Sequence, residues 1–197
     1  MRAETIPIDL ETVTEARLVA EALAGSQSAF EQIVRRYQRP IVSLVARITA
    51  DRALAEDLAQ EAFVKAFRNL AAFDTTRRLS SWLFRIAHNT ALDAIRRSRA
   101  RSVPLDTRTP AESIDAPGAP AADPVETAAL GRALAAALNR LRPHYRAAIA
   151  LRYEEGLPFD EIGQIMGIPE VTARTYVHRA RKELAQALAA AGWGPPT

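Results

Sequence analysis

Apolar residues recur along most of the chain at intervals of three and four, as they do on one face of an amphipathic helix. The segment AFEQIVRRYQRPIVSLVARI shows this pattern without interruption, and Pro40 is expected to kink the helix by removing a backbone hydrogen bond. Its predicted buried face comprises Phe30, Ile33, Val34, Tyr37, Ile41, Leu44, Val45 and Ile48. Because no useful length of chain alternates apolar and polar residues as strands do, the pattern predicts an all-α protein.

Two more helices are predicted in the N-terminal half. The first, DRALAEDLAQEAFVKAFRNL, has a broad apolar side made of Leu54, Leu58, Ala62, Phe63 and Phe67. Its polar side is made of Asp57, Gln60, Glu61 and Arg68. The second, SSWLFRIAHNTALDAIRRS, is expected to begin at a serine cap, either Ser80 or Ser81, because a serine hydroxyl accepts a hydrogen bond from a free N–H of the first turn.

The C-terminal half predicts four helices, in the segments ALGRALAAALNRLRP, HYRAAIALRYEEG, PFDEIGQIMG and EVTARTYVHRARKELAQALAAAG. Gly156 and Gly167 stand where helix C-termini favour a left-handed residue, and Pro169 suits the start of a helix. The inward side of the last helix is expected to hold Val171, Tyr176 or Val177, Ala180 and Leu184.

The last two segments together predict a helix-turn-helix. The outward side of the final helix would then carry Arg174, Thr175, His178, Arg179, Arg181 and Lys182. Arginine and threonine in the early turns suit the major groove of DNA, and the remaining positive charge suits phosphates. An ordinary helical hairpin with a solvated basic face is the alternative, and many repressors and response regulators share the same pattern.

A segment of different composition divides the chain. Residues 102–127 contain five prolines and almost no large apolar side chain, so they predict a flexible acidic linker rich in proline and alanine. Two small helical domains at 18–101 and 128–190 follow from this division, with an N-terminal extension at 1–17 and a tail at 191–197.

Charge is distributed unevenly, although the net charge is only +3. Lys65 and Lys182 are the only lysines among 26 basic residues, an arginine excess that codon composition alone can explain. The positions of the charged residues are more informative. Residues 77–101 hold seven arginines and one acid, whereas residues 102–127 hold one arginine and five acids. The contrast indicates a basic binding surface followed by an acidic tether.

Several classes of function are disfavoured. The chain has no cysteine, which removes disulfides, thiolate metal sites and thiol catalysis. His88, His144 and His178 are far apart and lack metal-ligand spacing, and there is no glycine-rich phosphate loop. The N-terminus lacks a signal core, and no apolar run approaches the roughly 20 residues of a membrane span. We therefore expect a soluble intracellular protein without catalytic activity, cofactor or metal.

Two blocks of sequence resemble a known family. The segments EDLAQEAFVKAFRNLAAF and SSWLFRIAHNTALDAIRR resemble region 2 of bacterial RNA polymerase sigma factors, most closely those of the extracytoplasmic-function (ECF) subfamily. The segment LRPHYRAAIALRYEEGLPFDEIGQIMGIPEVTARTYVHRARKEL resembles sigma region 4. Their order, with a linker and no third domain between them, also matches the family.

The resemblance implies a contact with core RNA polymerase. In the family, the helix with the D-L-x-Q-E-x-F pattern docks on the clamp helices of the largest subunit, and region 4 docks on the flap. The matching residues are Asp57, Leu58, Gln60, Glu61 and Phe63. Three of them form an acidic, hydrogen-bonding face suited to a basic partner, although a solvated polar face would look the same.

The resemblance also implies contacts with the −10 promoter element. The loop at 72–79 would capture a flipped base, and the helix after it would hold the melted single strand. The residues concerned are Arg77, Arg78, Trp82, Arg85, Asn89, Arg96 and Arg97. An aromatic ring beside arginine and asparagine suits unstacked bases, although Trp82 could equally pack in the core.

The −35 element would be read by region 4. The residues implied are Thr172, Arg174, Thr175, His178, Arg179 and Lys182. The sequence departs from the usual family residues at Leu79, Val171, Ala173 and Tyr176, which leaves the fold intact and the promoter sequence open.

The overall expectation is a promoter-specificity subunit that binds core polymerase and helps to melt DNA. It would be cytoplasmic and controlled by an anti-sigma factor, which could hold it at the inner membrane without inserting it directly. One alternative is a helix-turn-helix regulator with a helical sensor domain, which would bind duplex DNA alone, usually as a dimer. Another is an adaptor whose main task is to bind an inhibitor.

Overall fold

The computed structural model describes residues 10–101 and 124–193, with side chains at 15–100 and 126–193. Within those ranges the chain forms eight α-helices and no strand, which confirms the predicted all-α fold. The helices are α1 Leu10–Leu23, α2 Gln27–Thr49, α3 Arg52–Arg68, α4 Leu79–Arg101, α5 Pro124–Arg140, α6 Pro143–Tyr153, α7 Phe159–Met166 and α8 Glu170–Ala190. A single 3₁₀ turn, Leu70–Ala72, follows α3.

Short polar side chains set the starts of α2 and α3. Ser26 accepts a hydrogen bond from the N–H of Ala29 at 3.3 Å, and Asp51 accepts one from Leu54 at 3.0 Å. Each cap satisfies a donor that the first helical turn leaves without an intrahelical partner. Helix α2 runs through Pro40 to Thr49 as one element, so the proline does not end it.

Helices α1 to α4 form a first bundle, in which α2, α3 and α4 pack against one another. The buried stripe of α3 is mostly alanine and consists of Ala55, Leu58, Ala59, Ala62, Phe63 and Ala66. Small residues let the neighbouring helices approach closely. Leu54 and Phe67, at the two edges of the predicted apolar side, are 39% and 55% exposed, so the buried stripe is narrower than that side.

Helix α1 crosses the predicted boundary between residues 17 and 18. Leu18 and Val19 are buried in the core of the first bundle, so this helix packs as part of it. The Tyr37 hydroxyl donates a hydrogen bond to Glu15, and Arg36 lies 3.5 Å from the same carboxylate. Burial, followed by the Glu15 hydrogen bond, raises the pKa of Tyr37, so the phenol stays protonated.

Helices α5 to α8 form a second bundle. Helix α5 begins at Pro124, four residues before the predicted boundary at 128, and proline is well suited to a first helical turn. Residues 102–123, the main part of the predicted linker, lie outside the described residues, as do 1–9 and 194–197.

The two bundles pack directly on each other, with α6 against α2 and α7 against α4. Their shared apolar core takes Ala147, Ala150, Leu151, Leu157, Ile162 and Ile165 from the second bundle. Arg146, 7% exposed, also crosses this junction. Its guanidinium donates to the Ile48 carbonyl at 2.5 Å and to the Leu141 carbonyl at 2.8 Å. The positive charge therefore sits at the C-terminus of α2, where the helix dipole favours it.

A buried histidine makes the fold sensitive to acid. His88 is 2% exposed, and burial lowers its pKa below the ordinary value of 6.5, against a smaller opposing effect of the Asn89 side chain. The unfolded chain therefore takes up a proton below about pH 6.5 while the folded chain still resists it, so the free energy of unfolding falls as the pH falls.

We expect a lower melting temperature at pH 5.5 than at pH 7.5. His88→Gln should reduce the difference, because the glutamine cannot titrate. Burial and Arg142 also lower the pKa of His144, so this residue accounts for part of the remaining pH dependence of the melting temperature. Thermal unfolding at both pH values is the measurement, with the exposed His178→Gln as the matched control. An equal pH dependence in His88→Gln and the wild type would refute the assignment.

Candidate nucleic-acid interface and partner surface

Helices α7 and α8 meet through a tight turn that fixes their crossing. Gly167 ends α7 in the left-handed conformation, with φ of 68°, as its position in the sequence predicted. The Ile168 N–H donates back to the Gly163 carbonyl at 2.9 Å. A Cβ added at Gly163 would lie 2.7 Å from the Ile168 carbonyl oxygen and 3.3 Å from the Glu170 nitrogen. Only glycine allows the backbones to approach this closely, and the geometry is that of a helix-turn-helix.

Helix α8 has one buried and one open side. Ala173, Val177 and Ala180 are buried, which resolves the choice between Tyr176 and Val177 in favour of Val177. All six residues implied in −35 recognition lie on the other side. Arg174, His178, Arg179 and Lys182 are exposed, and Thr172 and Thr175 are half-buried. This side therefore exposes Arg174, His178, Arg179 and Lys182, and Arg174 is paired with the Glu170 carboxylate at 2.8 Å.

Val171 does not face inward, so that prediction was wrong. Its side chain is 68% exposed in the first turn of α8, among the basic residues. The sequence signal was its position three residues before Arg174 and seven before His178, which puts the three side chains on one face of the helix. An exposed branched apolar group there can contact a thymine methyl in the major groove.

Two contacts hold the Arg174 side chain in place. Its guanidinium donates to the Glu170 carboxylate at 2.8 Å and lies 4.6 Å from the centre of the Phe159 ring. Arg152 lies 4.8 Å from the same ring centre. Cation–π contacts of this length are attractive, so the ring helps to orient the Arg174 side chain.

Tyr176 stands at a position that is commonly basic in the family that the sequence resembles. Its ring packs 4.8 Å from His144 and 5.4 Å from Tyr145, measured between ring centres. The side chain is half-buried and braces α8 against α6. The substitution therefore exchanges a surface charge for packing inside the second bundle.

The start of α4 combines aromatic and basic side chains. Trp82 is half-buried, and its ring centre lies 5.1 Å from that of Phe73, so core packing accounts for part of the side chain. Arg85 and Asn89 are exposed further along the helix, as are Arg96 and Arg97 near its end. All four side chains are exposed to solvent.

Four of the five arginines implied in −10 binding already have an acidic neighbour. The charge-pair distances are 3.4 Å for Arg77–Asp74, 3.3 Å for Arg96–Asp93, 3.8 Å for Arg97–Glu61 and 3.2 Å for Arg78–Glu161. Hydrogen bonds from Thr76 lower the pKa of Asp74, which keeps that carboxylate charged in the loop before α4. The surface is therefore basic but locally neutralised.

The predicted serine cap of α4 was wrong. Helix α4 begins at Leu79, and the Trp82 N–H already donates to the Arg78 carbonyl at 3.3 Å. Ser81 instead donates its hydroxyl proton to Glu161 of α7 at 2.8 Å. The hydroxyl is occupied by the second bundle, a partner that local sequence could not indicate.

The outer face of α3 differs from the implied polymerase contact. Leu58 and Phe63 are 4% and 7% exposed, so they lie in the core of the first bundle and support the surface from beneath. Asp57 and Gln60 are exposed and Glu61 is partly exposed. Sequence reasoning missed Val64 and Phe67, which are 48% and 55% exposed. Val64 and Phe67 lie three residues apart and form a short apolar strip beside the polar Gln60, and that helical spacing was the available signal.

Two further kinds of feature are absent from the part of the chain that the structure describes. No group of three or more histidine, cysteine, aspartate or glutamate side chains there is arranged to hold a metal ion. None of the helices that the structure describes is both long enough and apolar enough to cross a bilayer.

The described residues thus form two helical bundles, the second of which carries the helix-turn-helix. The family model of Sigma-70 region 2 matches residues 33–101, and that of Sigma-70, region 4 matches residues 131–184. The ECF RNA polymerase sigma factor SigW of Bacillus subtilis is 35% identical, covering 86% of this chain and 94% of SigW. The ECF RNA polymerase sigma-E factor of Escherichia coli K12 is 33% identical, covering 88% and 94%.

The fold is shared with a solved sigma factor. RpoE of Bartonella quintana, determined in complex with the anti-sigma factor NepR, has a TM-score of 0.66 and 23% identity, over 81% of this chain and 96% of RpoE. The chain therefore belongs to the ECF group of the sigma-70 family. As such it is a sigma factor, a subunit that directs RNA polymerase to promoters.

Proposed function

We propose that this sigma factor divides its tasks among three surfaces, namely the basic side of α8, the N-terminal part of α4 with its preceding loop, and the outer face of α3. The observation that carries the proposal is the two-sided character of α8. Its buried side anchors the helix in the second bundle, while its open side presents Arg174, Thr175 and His178 together. Arg174 and His178 are of the kind that donate to base edges and phosphates, whereas the Thr175 hydroxyl donates to the Val171 carbonyl at 2.8 Å and leaves its oxygen to accept.

The basic side of α8 reads the −35 element as duplex DNA. Arg174 and Val171 lie in the first turns of the helix, where a recognition helix contacts bases. Arg179 and Lys182 lie further along and bind phosphates, which position the helix without reading sequence.

The loop before α4 and its first turns bind the −10 element as melted single strand. The part of the Trp82 ring that Phe73 leaves open offers a stacking surface. Arg85 and Asn89 lie on the same helix, one and two turns further along, and can bind the backbone and base edges. Stacking on an aromatic ring contributes about 1–3 kcal/mol per base, which helps to offset the cost of opening the duplex.

The outer face of α3 binds core polymerase at the clamp helices of the largest subunit. Gln60 offers hydrogen bonds, and the neighbouring Val64 and Phe67 offer apolar area that α3 leaves uncovered. Exposed aromatic residues surrounded by polar ones are frequent anchors of protein interfaces. The second bundle binds the flap of the polymerase.

An anti-sigma factor controls the protein by occupying these surfaces. The proposal is supported by the relationship to RpoE of Bartonella quintana, which was determined with such a partner. Control of this kind acts in the cytoplasm, or at the inner membrane when the anti-sigma factor is anchored there. The sigma factor itself performs no catalysis, because the polymerase carries out the chemistry.

Run-off transcription tests the proposal. Purified bacterial core polymerase is supplied with a library of upstream regions from the source genome, with and without this protein. Protein-dependent transcripts that share −10 and −35 motifs are expected. Tight duplex binding by the protein alone, without any such transcripts, would instead support a free-standing helix-turn-helix regulator.

Arg174→Ala and Arg179→Ala are each expected to weaken transcription from a −35-dependent promoter by about 5- to 150-fold, since a lost base or phosphate contact costs about 1–3 kcal/mol. Binding to core polymerase should stay unchanged, as measured by fluorescence anisotropy of the labelled protein. Arg132→Ala removes an exposed arginine of α5 and is the matched control. Loss of holoenzyme assembly in either α8 variant would assign that arginine a different role.

A further inference from the structure

A groove between α2 and α3 holds positive charge that the functions proposed above do not use. Its volume is about 960 Å³, and Tyr153 and Glu154 line it from the end of α6. Besides Glu154, the only other acid in its lining is Glu56. Four arginines line it, namely Arg35, Arg39 and Arg47 of α2 and Arg52 of α3. The excess of arginine over glutamate makes the groove a candidate anion site.

Most of this positive charge has no partner in the folded chain. Glu154 is already paired with Arg47, whose guanidinium lies 2.6 Å away. Arg35, Arg39 and Arg52 are exposed, and no carboxylate of the residues that the structure describes forms an ion pair with them. By contrast, both arginines of the loop before α4 have an acidic neighbour. Three guanidinium groups of the groove therefore remain available to an anionic ligand.

The arginines of α2 follow one line along the helix. Arg35 and Arg39 are four residues apart, and Arg47 lies eight residues further on, with Ser43 between them. Residues four apart share a helix face, and each such step advances about 6 Å along the axis. A row of this length suits an extended ligand with several anionic groups better than a single small ion.

The rest of the lining is apolar or uncharged. Gln38 and Gln60 offer amide groups, and the ring of Tyr153 is 57% exposed. The apolar part of the lining consists of Val34, Val42, Ala46, Ala59 and Phe63. Small-molecule sites typically combine such a lining with a few polar groups in a volume of about 300–1,000 Å³. The groove has the size and composition of a ligand site.

We propose that this groove binds a small molecule that carries a chain of phosphate groups, with Arg35, Arg39 and Arg52 as its cationic contacts. The planar guanidinium donates two parallel hydrogen bonds to a phosphate, and such charge-assisted bonds are strong. Nucleoside triphosphates and inorganic polyphosphate share this chemistry. Only a nucleotide would also place a base against the apolar lining or the Tyr153 ring.

The first test measures binding directly and separates the two sources of phosphate. The full chain is titrated calorimetrically with tripolyphosphate, ATP and adenosine at constant ionic strength. Tripolyphosphate and ATP are expected to bind, and adenosine is not. Tighter binding of ATP would identify a nucleotide as the ligand, whereas equal affinities would assign recognition to the phosphate chain alone. No binding of either phosphate compound would overturn the proposal.

A double substitution assigns the binding to the groove. Arg35→Gln combined with Arg39→Gln is expected to weaken tripolyphosphate binding about 3- to 30-fold, the range for two exposed charge contacts. Arg132→Gln combined with Arg140→Gln removes the same charge from exposed positions of α5 and is the matched control. Thermal unfolding checks that both variants keep the fold. An equal loss of affinity in the two variants would reduce the effect to net charge and refute the site.

Thiol protection locates the anion independently of any change in charge. The chain contains no cysteine, so Gln38→Cys places a single thiol in the groove and Gln186→Cys places one on α8, the other strongly basic element. Tripolyphosphate is expected to slow modification by a neutral maleimide at position 38 and not at position 186. Protection at position 186 alone would place the anion on the proposed DNA surface and overturn the assignment to the groove.

A bound phosphate chain would also compete with core polymerase, a consequence that rests on the proposed function of α3. Gln60 belongs both to the groove and to the outer face of α3. At ten times its dissociation constant, tripolyphosphate should weaken polymerase binding of the wild type about tenfold, since only the unoccupied fraction is competent. The effect should be smaller in Arg35→Gln combined with Arg39→Gln.

Anisotropy titration of the labelled protein with core polymerase at constant ionic strength measures this competition. An equal effect of tripolyphosphate on the wild type and the double variant would place its action outside the groove and overturn the competition. Failure of the wild type to bind polymerase even without tripolyphosphate would count against the proposed function instead, while the calorimetric result would still decide whether the groove binds phosphate.

Discussion

Gly163→Ala is expected to lower the free energy of unfolding by about 1–3 kcal/mol, the usual cost of forcing extra volume into a packed site. The new methyl group would lie 2.7 Å from the Ile168 carbonyl oxygen, and the atom in its way belongs to the backbone of the turn. The turn must therefore shift, which changes how α8 sits on α7. Chemical denaturation measures the stability, and transcription from a −35-dependent promoter should fall with it.

Gly131→Ala provides the matched control because it also replaces a glycine inside a helix. A methyl group added at Gly131 meets nothing within 4 Å, and the residue lies in the interior of α5. Alanine is the better helix former by roughly 0.5–1 kcal/mol, so this variant should be more stable than the wild type. We therefore expect the free energy of unfolding to fall in Gly163→Ala and to rise in Gly131→Ala. Destabilisation of both variants by the same amount would show that close approach at Gly163 is not the cause.

Phe67→Asp is expected to weaken binding to core polymerase by about 30-fold or more, the loss that follows when an interface anchor contributes at least 2 kcal/mol. Its ring is 55% exposed, beside Val64, although it still touches Phe30 with 4.8 Å between ring centres. A carboxylate there would have to be desolvated on docking. Anisotropy titration of labelled protein with core polymerase gives the affinity.

Two companion variants separate docking from folding. Val64→Asp changes the same strip without touching the Phe30 contact and should also weaken polymerase binding. Leu130→Asp places the same charge on an apolar residue of α5 that is 40% exposed, away from α3, and should leave binding unchanged. Thermal unfolding of all three reports any loss of fold. If Leu130→Asp reduced affinity as much as Phe67→Asp, a general effect of charge would explain the result.

The helical pattern predicted elements well where large apolar residues mark one face. Helix α2 is the clearest case, since Ile33, Ile41 and Leu44 are nearly fully buried, as their spacing indicated. The pattern is less informative on α3, because alanines form most of its buried stripe. Leu54 and Phe67 belong to the predicted apolar side although they are exposed.

The candidate site was predicted in part, for a physical reason. Donors and charges on α8 follow from residue type and helical phase, so its basic side could be read from sequence. Val171 was placed inside because hydrophobicity favours burial, although its spacing from Arg174 and His178 puts it on the open side of the helix, where it is 68% exposed. The contacts that Glu161 and Arg146 make between the two bundles join residues 80 or more positions apart, so no local sequence pattern contains them.

Phe159 has a consequence for how such a protein changes its target genes over evolutionary time. The ring lies under the guanidinium of Arg174 but belongs to α7, and it sets the starting orientation of a residue proposed to touch bases. Substituting leucine there would keep the apolar packing while removing the attraction for the cation. With Arg174 in its proposed role, base preference at the −35 element can drift through mutations at position 159, which lies on α7, and comparisons restricted to residues of α8 will overlook them.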